Sequence, residues 1–497
     1  MTTSFVPISI VVVPLISAIF VPLVGWWRKS LCYPLTIVVL SISTLFSAWT
    51  LQTVELRGTI HYHLGSWPPP WGIELVIDHL NAFVALIVSG IGLLVAISSR
   101  RSVEKELPTK IVYFYCLFLL QVTGLLGIVL TGDMFNLYVF LEIASLAGYA
   151  LIAIGEDGAP FASFNYMIYG TVGACFYLLS VGYLYVVTGS LNMADLSELL
   201  PALYQSKVVL MAFAFFVVGV GIKMALFPLH VWLPDAYTYA PSAVSALVAP
   251  LVTKVGAYVM IRIIFTVFKP YFSMEVIPAT TLLGWVATIA IIFGCILALG
   301  QTDLKRMLAY VLIAEVGYIA LGVGLANRAG MTGAILHILN DALMMACLFL
   351  VVGAIMYKLG LRNIRQFRYL HRRMPITLGA FTIAALSVIG IPPTCGFFSK
   401  WYLVLGAING KHWFFVAVLL VSSLLNAIIF FRVIENAYFE PPTGANMGHG
   451  AVVISRDEAP PSMLFPMLVM TAGILSLGIL SGKIVSKIVQ FAVPVGM

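Results

Sequence analysis

Long apolar runs alternate with short polar breaks along this chain, and the runs are too long for the strands or amphipathic helices of a water-soluble domain. They fall near residues 5–27, 33–52, 77–99, 111–131, 134–154, 162–188, 208–231, 243–268, 278–300, 307–326, 331–357, 376–408, 413–439 and 462–482. Each supplies the ~20 apolar residues that cross a hydrocarbon core about 30 Å thick. The pattern therefore predicts an all-α polytopic membrane protein of about fourteen transmembrane helices. The twelfth run is the longest and holds Pro392 and Pro393; the seventh holds Pro228. A buried helix carrying proline loses a backbone donor and clashes one turn earlier. Both runs are expected to break, freeing polar backbone that needs water or a charged partner; an ordinary proline kink is the plainer alternative.

Composition agrees, with 61% hydrophobic and 9% charged residues and a mean hydropathy of +1.04. Lipid must be the main solvent of such a chain. Basic residues mark the cytoplasmic loops. If the first span runs inward, the odd loops carry Arg28, Lys29, Arg100, Arg101, Lys105, Lys110, Lys305, Arg306, Lys358 and the arginine-rich stretch 362–373. The even loops have only Arg57, Lys207, Lys269, Arg328 and Lys411. Both termini are thus expected outside, in the plasma membrane of a prokaryote. The net charge of +7 belongs to this asymmetry and gives no ground for nucleic-acid binding; the run 362–373 is a cytoplasmic loop first, a contact for anionic lipid or neighbouring subunits second. The N-terminal run has no basic n-region or cleavage site and reads as a retained span. The six cysteines have no metal or disulfide spacing and read as packing residues.

Against this background a few ionisable residues stand out. Lys223, Lys254 and Lys400 lie inside apolar runs, with Glu142 and Glu315 as natural partners. A charge near a helix centre costs about 2.5–3.5 kcal/mol on insertion scales, so such residues point to an ion or proton pathway. Glu142 precedes Lys223 by nearly the interval that separates Glu315 from Lys400, and the second pair follows the first by five spans. An odd displacement inverts the copy in the membrane, the plan of many transporters. The expected organisation is residues 1–110 as three leading helices, 111–268 and 278–439 as two inverted five-helix repeats with broken helices 7 and 12, and 440–497 as a loop, a last helix and a tail. Glu142 has a structural reading as a strut; Glu315 has one as packing.

Five stretches, GDMFNLYVFLEI (132–143), IKMALFPLHVWLPDAYTYAPSAVSALVA (222–249), TKVGAYVMIR (253–262), DLKRMLAYVLIAEVGYI (303–319) and GIPPTCGFFSKW (390–401), together carry a family resemblance. The chain resembles the antiporter-like subunits shared by respiratory complex I, membrane-bound hydrogenases and Mrp cation/proton antiporters. LGSWPPPWGIELVIDHL (64–80) and Lys400 make it most similar to the D-type subunit of the Mrp antiporters or the corresponding hydrogenase subunit. The resemblance implies a Glu142–Lys223 pair in a first half-channel, Lys254 as linking lysine and Lys400 as terminal lysine of a second. Span eleven departs from the family: HILNDALMM (337–345) keeps His337 and Asn340, but Asp341 replaces a histidine and Met345 a lysine. Asn165 stands where many members carry a lysine. Either the path from Lys254 to Lys400 is rebuilt through His337, Asp341, tyrosines or water, or the two halves are poorly connected.

His337 titrates near neutrality when unperturbed, and His230 lies just past the span-seven break; each is a relay candidate or a satisfied buried imidazole. Asp235 reads as an anchor for the loop ending span seven, Asp133 as a helix cap, and Asn426 and Arg432 sit roughly where Lys254 does in the other half. No nucleotide loop, nucleophile elbow or metal cluster appears, so no cofactor, metal or covalent chemistry is expected. The leading reading is a proton-translocating subunit of a multisubunit cation/proton antiporter, with sodium the second candidate ion, packed beside homologous antiporter-like and small membrane subunits. The alternative is the pumping subunit of a redox-driven complex I-like enzyme or membrane-bound hydrogenase. A third is a free-standing solute carrier.

Overall fold

The structure, a computed structural model, describes residues 5–439 and 456–494. Of the expected loop between the last two spans, residues 440–455 lie outside the described residues. The helices are α1 (Val6–Trp27), α2 (Cys32–Arg57), α3 (His79–Glu106), α4 (Ile111–Leu130), α5 (Met134–Ala153), α6 (Ala159–Thr188), α7 (Met193–Leu199), α8 (Lys207–Lys223), α9 (Trp232–Tyr239), α10 (Ser242–Ile261) and α11 (Lys269–Tyr271). They continue with α12 (Ala279–Leu299), α13 (Leu304–Gly324), α14 (Arg328–Leu359), α15 (Leu370–Arg373), α16 (Pro375–Ile389), α17 (Cys395–Asn409), α18 (Trp413–Tyr438), α19 (Pro461–Ile479), α20 (Ser481–Ile484) and α21 (Gln490–Ala492). Among the described residues, 12 helices are long and apolar enough to cross a membrane. The two remaining apolar runs are the two expected to break: α8 with α9, and α16 with α17. Each run thus has a spanning helix or a broken pair of helices.

Three differences from the sequence expectation have clear causes. Span seven does not end at 231; the chain turns through 224–231 and resumes as α9, whose WLPDAYTY is too polar to register as an apolar run. Asp235 therefore sits in the first turn of a helix and pairs with Arg306 at 3.1 Å. Helix α3 continues past residue 99 because its polar end supports itself, Arg100 reaching Glu104 one turn on at 3.3 Å. Between α2 and α3 an unanticipated hairpin pairs β1 (Ile60–His63) with β2 (Glu74–Ile77), His63 opposite Glu74. It is knotted into one rim: the Gly132 N–H donates to the Glu74 carbonyl at 2.8 Å and Asn192 Nδ2 to its carboxylate at 3.1 Å.

Burial separates the helices by role. In α10, α13 and α14 the share of the spanning window that is buried reaches 89%, against 33% in α1 and α2. Polar side chains on those three helices are therefore shielded from lipid, and these are the helices that carry Lys254, Glu315, His337 and Asp341. Asp133 caps α5 as expected, accepting from the Asn136 N–H at 2.6 Å. The cysteines are unpaired, but Cys175 is exposed on α6 and does not pack in the interior.

Candidate functional site

The first cluster forms where α8 ends. Helix α8 stops at Lys223, and Ala225 adopts a left-handed conformation with φ +57°. At the break the Ile222 carbonyl accepts both the Ala225 N–H at 3.1 Å and the Trp232 indole at 3.0 Å. Trp232 stacks on Tyr166 at 4.0 Å, and Tyr166 packs edge-on against Tyr149 at 4.6 Å. These rings wall the buried Lys223 ammonium, which donates to Ser145 Oγ at 2.7 Å and Tyr149 Oη at 3.5 Å and lies 3.8 Å from Glu142. The expected Glu142–Lys223 pair is thus present. Ser145 and Tyr149 were not anticipated, although they follow Glu142 by three and seven residues, the spacing of one helical face. A cavity of about 40 Å³ opens from Lys223 and Ser145 past Gln121 to Val252 and Gly256 of α10. It has room for water, which needs roughly 10–15 Å³.

The second cluster surrounds the other break. Lys400 lies in α17, just past the turn, and its ammonium donates to the Val388 carbonyl at the end of α16 at 2.6 Å. The broken backbone has here taken the charged partner that its loss of hydrogen bonding calls for. Lys400 stands 4.4 Å over the Tyr318 ring and 4.0 Å from Glu315 Oε1. Glu315 Oε2 lies 3.1 Å from His337 Nε2, with both side chains fully buried, and His337 Nδ1 meets Ser399 Oγ at 2.9 Å. Glu315 therefore touches both bases of this cluster. Neither of its oxygens has an aligned hydrogen-bond donor, a costly condition for a merely structural carboxylate.

Between the clusters lies the ion pair of Lys254 and Asp341, 2.5 Å apart with side chains 1% and 0% exposed. Asp341 stands four residues after His337 on α14, so the two occupy adjacent turns of one face. Lys254 and Asp341 thus lie next to the cluster of His337, Glu315 and Lys400, and the residue that departs from the family pattern at position 341 pairs with Lys254. Asn340 turns elsewhere, donating to the Cys395 carbonyl at 2.7 Å. Near Lys254, Pro250 has no N–H for the Ala246 carbonyl one turn before it.

Other candidates sit apart. His230 is buried against Phe227 and Phe293, and its Nδ1 has no hydrogen-bond partner. Asn426 donates to Tyr318 Oη at 3.4 Å, beneath Lys400. Arg432 holds the carbonyls of Leu299 and Gln301 at 2.5 and 2.7 Å, far along α18. Sequence reasoning also missed a polar cavity of about 170 Å³ at the N-terminus of α10, lined by Glu106, Glu156, Asp157 and Arg362. There Glu106 accepts from the Ser242 N–H and from Ser102, both at 2.8 Å, and buried Lys305 donates to the Ala240 carbonyl at 2.6 Å.

A bundle of this kind, with two broken helices and a buried series of acids and bases between them, defines a polytopic antiporter-like membrane subunit. The chain belongs to the NADH:quinone oxidoreductase/Mrp antiporter transmembrane family, which matches residues 131–426. It is 48% identical to the N subunit of the NADH-quinone oxidoreductase of Desulforudis audaxviator (strain MP104C) over 99% of each chain. It is 34% identical to the D-type subunit of the Na(+)/H(+) antiporter of Bacillus subtilis (strain 168) over 80% of each. Among solved structures it superposes on a chain of the Mrp complex from Dietzia sp. DQ12-45-1b with a TM-score of 0.87 at 27% identity, covering 99% of this chain and 97% of that one. A chain of the membrane-bound sulfane sulfur reductase, an archaeal respiratory membrane complex, gives 0.88 at 32% identity, covering 98% and 97%. The protein is a multi-pass membrane protein and an antiporter-like subunit of the Mrp or complex I-like kind.

Proposed function

We propose that this chain moves protons across the membrane through the series Glu142, Lys223, Lys254, Asp341, His337, Glu315 and Lys400, as one subunit of a larger assembly. The observation that carries this reading is the Lys254–Asp341 pair at 2.5 Å, which links the two halves where the familiar histidine and lysine of span eleven are absent. A buried lysine's charge is governed by its nearest carboxylate, so each contact is a place where a proton can be held or passed on. Residues 111–268 and 278–439 act as two half-channels, each with its acid on the second helix and its lysine at the broken fourth. Positive loops set the orientation, termini outward, in a prokaryotic plasma membrane. Lys223→Ala in the assembled complex tests the reading: pH-gradient formation in vesicles should be lost both with and without sodium. Retained proton movement in an intact complex would reject Lys223 as a relay.

The full-length similarity to a protein named for an NADH-quinone oxidoreductase favours a second reading of the driving force, in which a redox reaction in partner subunits powers this pump. Acidification that requires an electron donor, and does not respond to an imposed sodium gradient, would distinguish it from antiport.

A further inference from the structure

Lys305 is a buried base that the relay does not use. It is 1% exposed in the first turn of α13, the positive end of that helix, where a cation is disfavoured. The charged groups around it are Glu106, Asp303 and Arg362, and among the described residues no carboxylate makes an ion pair with it. The fold does not require an ammonium at this turn. In the first repeat the matching turn is capped by Asp133 and bridged to Asn192, as this one is capped by Asp303 and bridged to Asn363. The residue second after the cap is Phe135 there and Lys305 here.

Lys305 donates to the Ala240 carbonyl at 2.6 Å, where α9 ends and α10 is about to begin. Ala240 lines the polar cavity of about 170 Å³, which the exposed Glu156 and Asp157 bring to the surface at the end of the bundle that carries the basic loops. A water takes up about 30 Å³, so several fit. Inward, polar atoms continue along α10. The Ala240 carbonyl also accepts from Ser245 Oγ at 3.4 Å, Pro250 leaves the Ala246 carbonyl without its helical donor, and the Ala249 carbonyl accepts from the Lys254 ammonium at 3.2 Å. Thr253 Oγ1, fully buried next to Lys254, has no hydrogen-bond partner, a condition that water relieves. Resting on the relay reading above, we propose that Lys305 is the group through which Lys254 exchanges protons with the basic-loop side of the membrane, the cavity at the N-terminus of α10 being its opening. In one direction the Lys305 ammonium gives its proton inward along α10 and the resulting amine takes another from cavity water; the reverse order releases protons.

A purely structural role for Lys305 is to hold the end of α9. Arginine would fill that role as well, but arginine does not release its proton. In the full complex in vesicles, Lys305→Arg should assemble with an unchanged melting temperature and lose about a hundredfold in proton transport, the lower end of what a positioned proton-transfer group contributes. Wild-type transport by Lys305→Arg overturns the proposal. Lys223→Ala, run beside it, separates the causes: an inactive Lys223→Ala with an active Lys305→Arg removes the port and leaves the relay standing, whereas activity in both removes the relay as well. If the arginine variant fails to assemble, Lys305→Gln, which is shorter and keeps an N–H for Ala240, decides the matter: transport lost in an intact complex supports the port, and transport retained overturns it.

Discussion

Replacing Asp341 by asparagine removes the charge in contact with the Lys254 ammonium while hardly changing the volume. At 2.5 Å two unit charges attract by about 6–7 kcal/mol at an effective dielectric constant of about 20. That attraction is opposed by the several kcal/mol lost when each ion leaves water. The substitution deletes the attraction and leaves the cost of burying the lysine. Removal of one partner from a buried pair typically costs about 3–5 kcal/mol. Asp341→Asn should therefore lower the stability of the complex in detergent by that order and abolish proton transport. Lys254→Met combined with Asp341→Leu should recover most of the stability, since an apolar pair of similar volume is often neutral, but not the transport. Thermal denaturation of Lys254→Met, Asp341→Leu and their combination, with pH-gradient assays on each, gives a complete double-mutant cycle. Asp341→Asn that is as stable and as active as the wild type would refute both the ionised pair and the rebuilt path.

Other variants test the remaining elements. Glu315→Gln withdraws the carboxylate from both His337 and Lys400, so transport should fall at least as far as with His337→Phe alone; wild-type flux in vesicles would exclude Glu315 from the relay. Gly396→Ala should block assembly, because its Cβ would stand 2.0 Å from the Ser387 carbonyl oxygen across the break; a normal yield of intact complex would show that the break can open. At the rim Asp78 caps α3; burial works to raise its carboxyl pKa, but Arg262 at 2.5 Å and the N–H groups of Leu80 and Asn81 outweigh it and hold the pKa below the usual range. Its stabilisation is therefore present above the unfolded value of about 3.9 and is lost as pH falls through the lower folded value. Melting temperature against acid pH should show that loss, and Asp78→Asn should flatten it.

The spans were legible in sequence because lipid imposes one requirement everywhere, an unbroken apolar length with its backbone satisfied internally. The breaks were legible for the same reason: Pro228, Pro392 and Pro393 defy that requirement beside lysines that can compensate. Glu142 with Lys223 and Glu315 with Lys400 could be paired from their repeated interval. The engagement of Asp341 with Lys254 could not, since it joins α10 to α14 and depends on how two helices rotate against each other, which spacing does not record. Ser399 on His337 and the Val388 carbonyl on Lys400 were invisible for a similar reason, being set by how α17 re-enters after its turn. The hairpin of β1 and β2 was hidden because its short strands alternate too briefly to stand out beside runs of twenty apolar residues.

The 2.5 Å contact of Lys254 with Asp341 has an electrical consequence. Two opposite charges in mutual embrace form a compact dipole, and a dipole buried in insulating surroundings offers no landing place for a passing cation. On the proposed path, the membrane would be sealed against short circuit while the contact lasts. Charge would then cross in discrete packets, each breaking and remaking the embrace. A vesicle containing this subunit should therefore hold an imposed voltage, and a steady leak through the wild-type chain would show that the contact does not close the path.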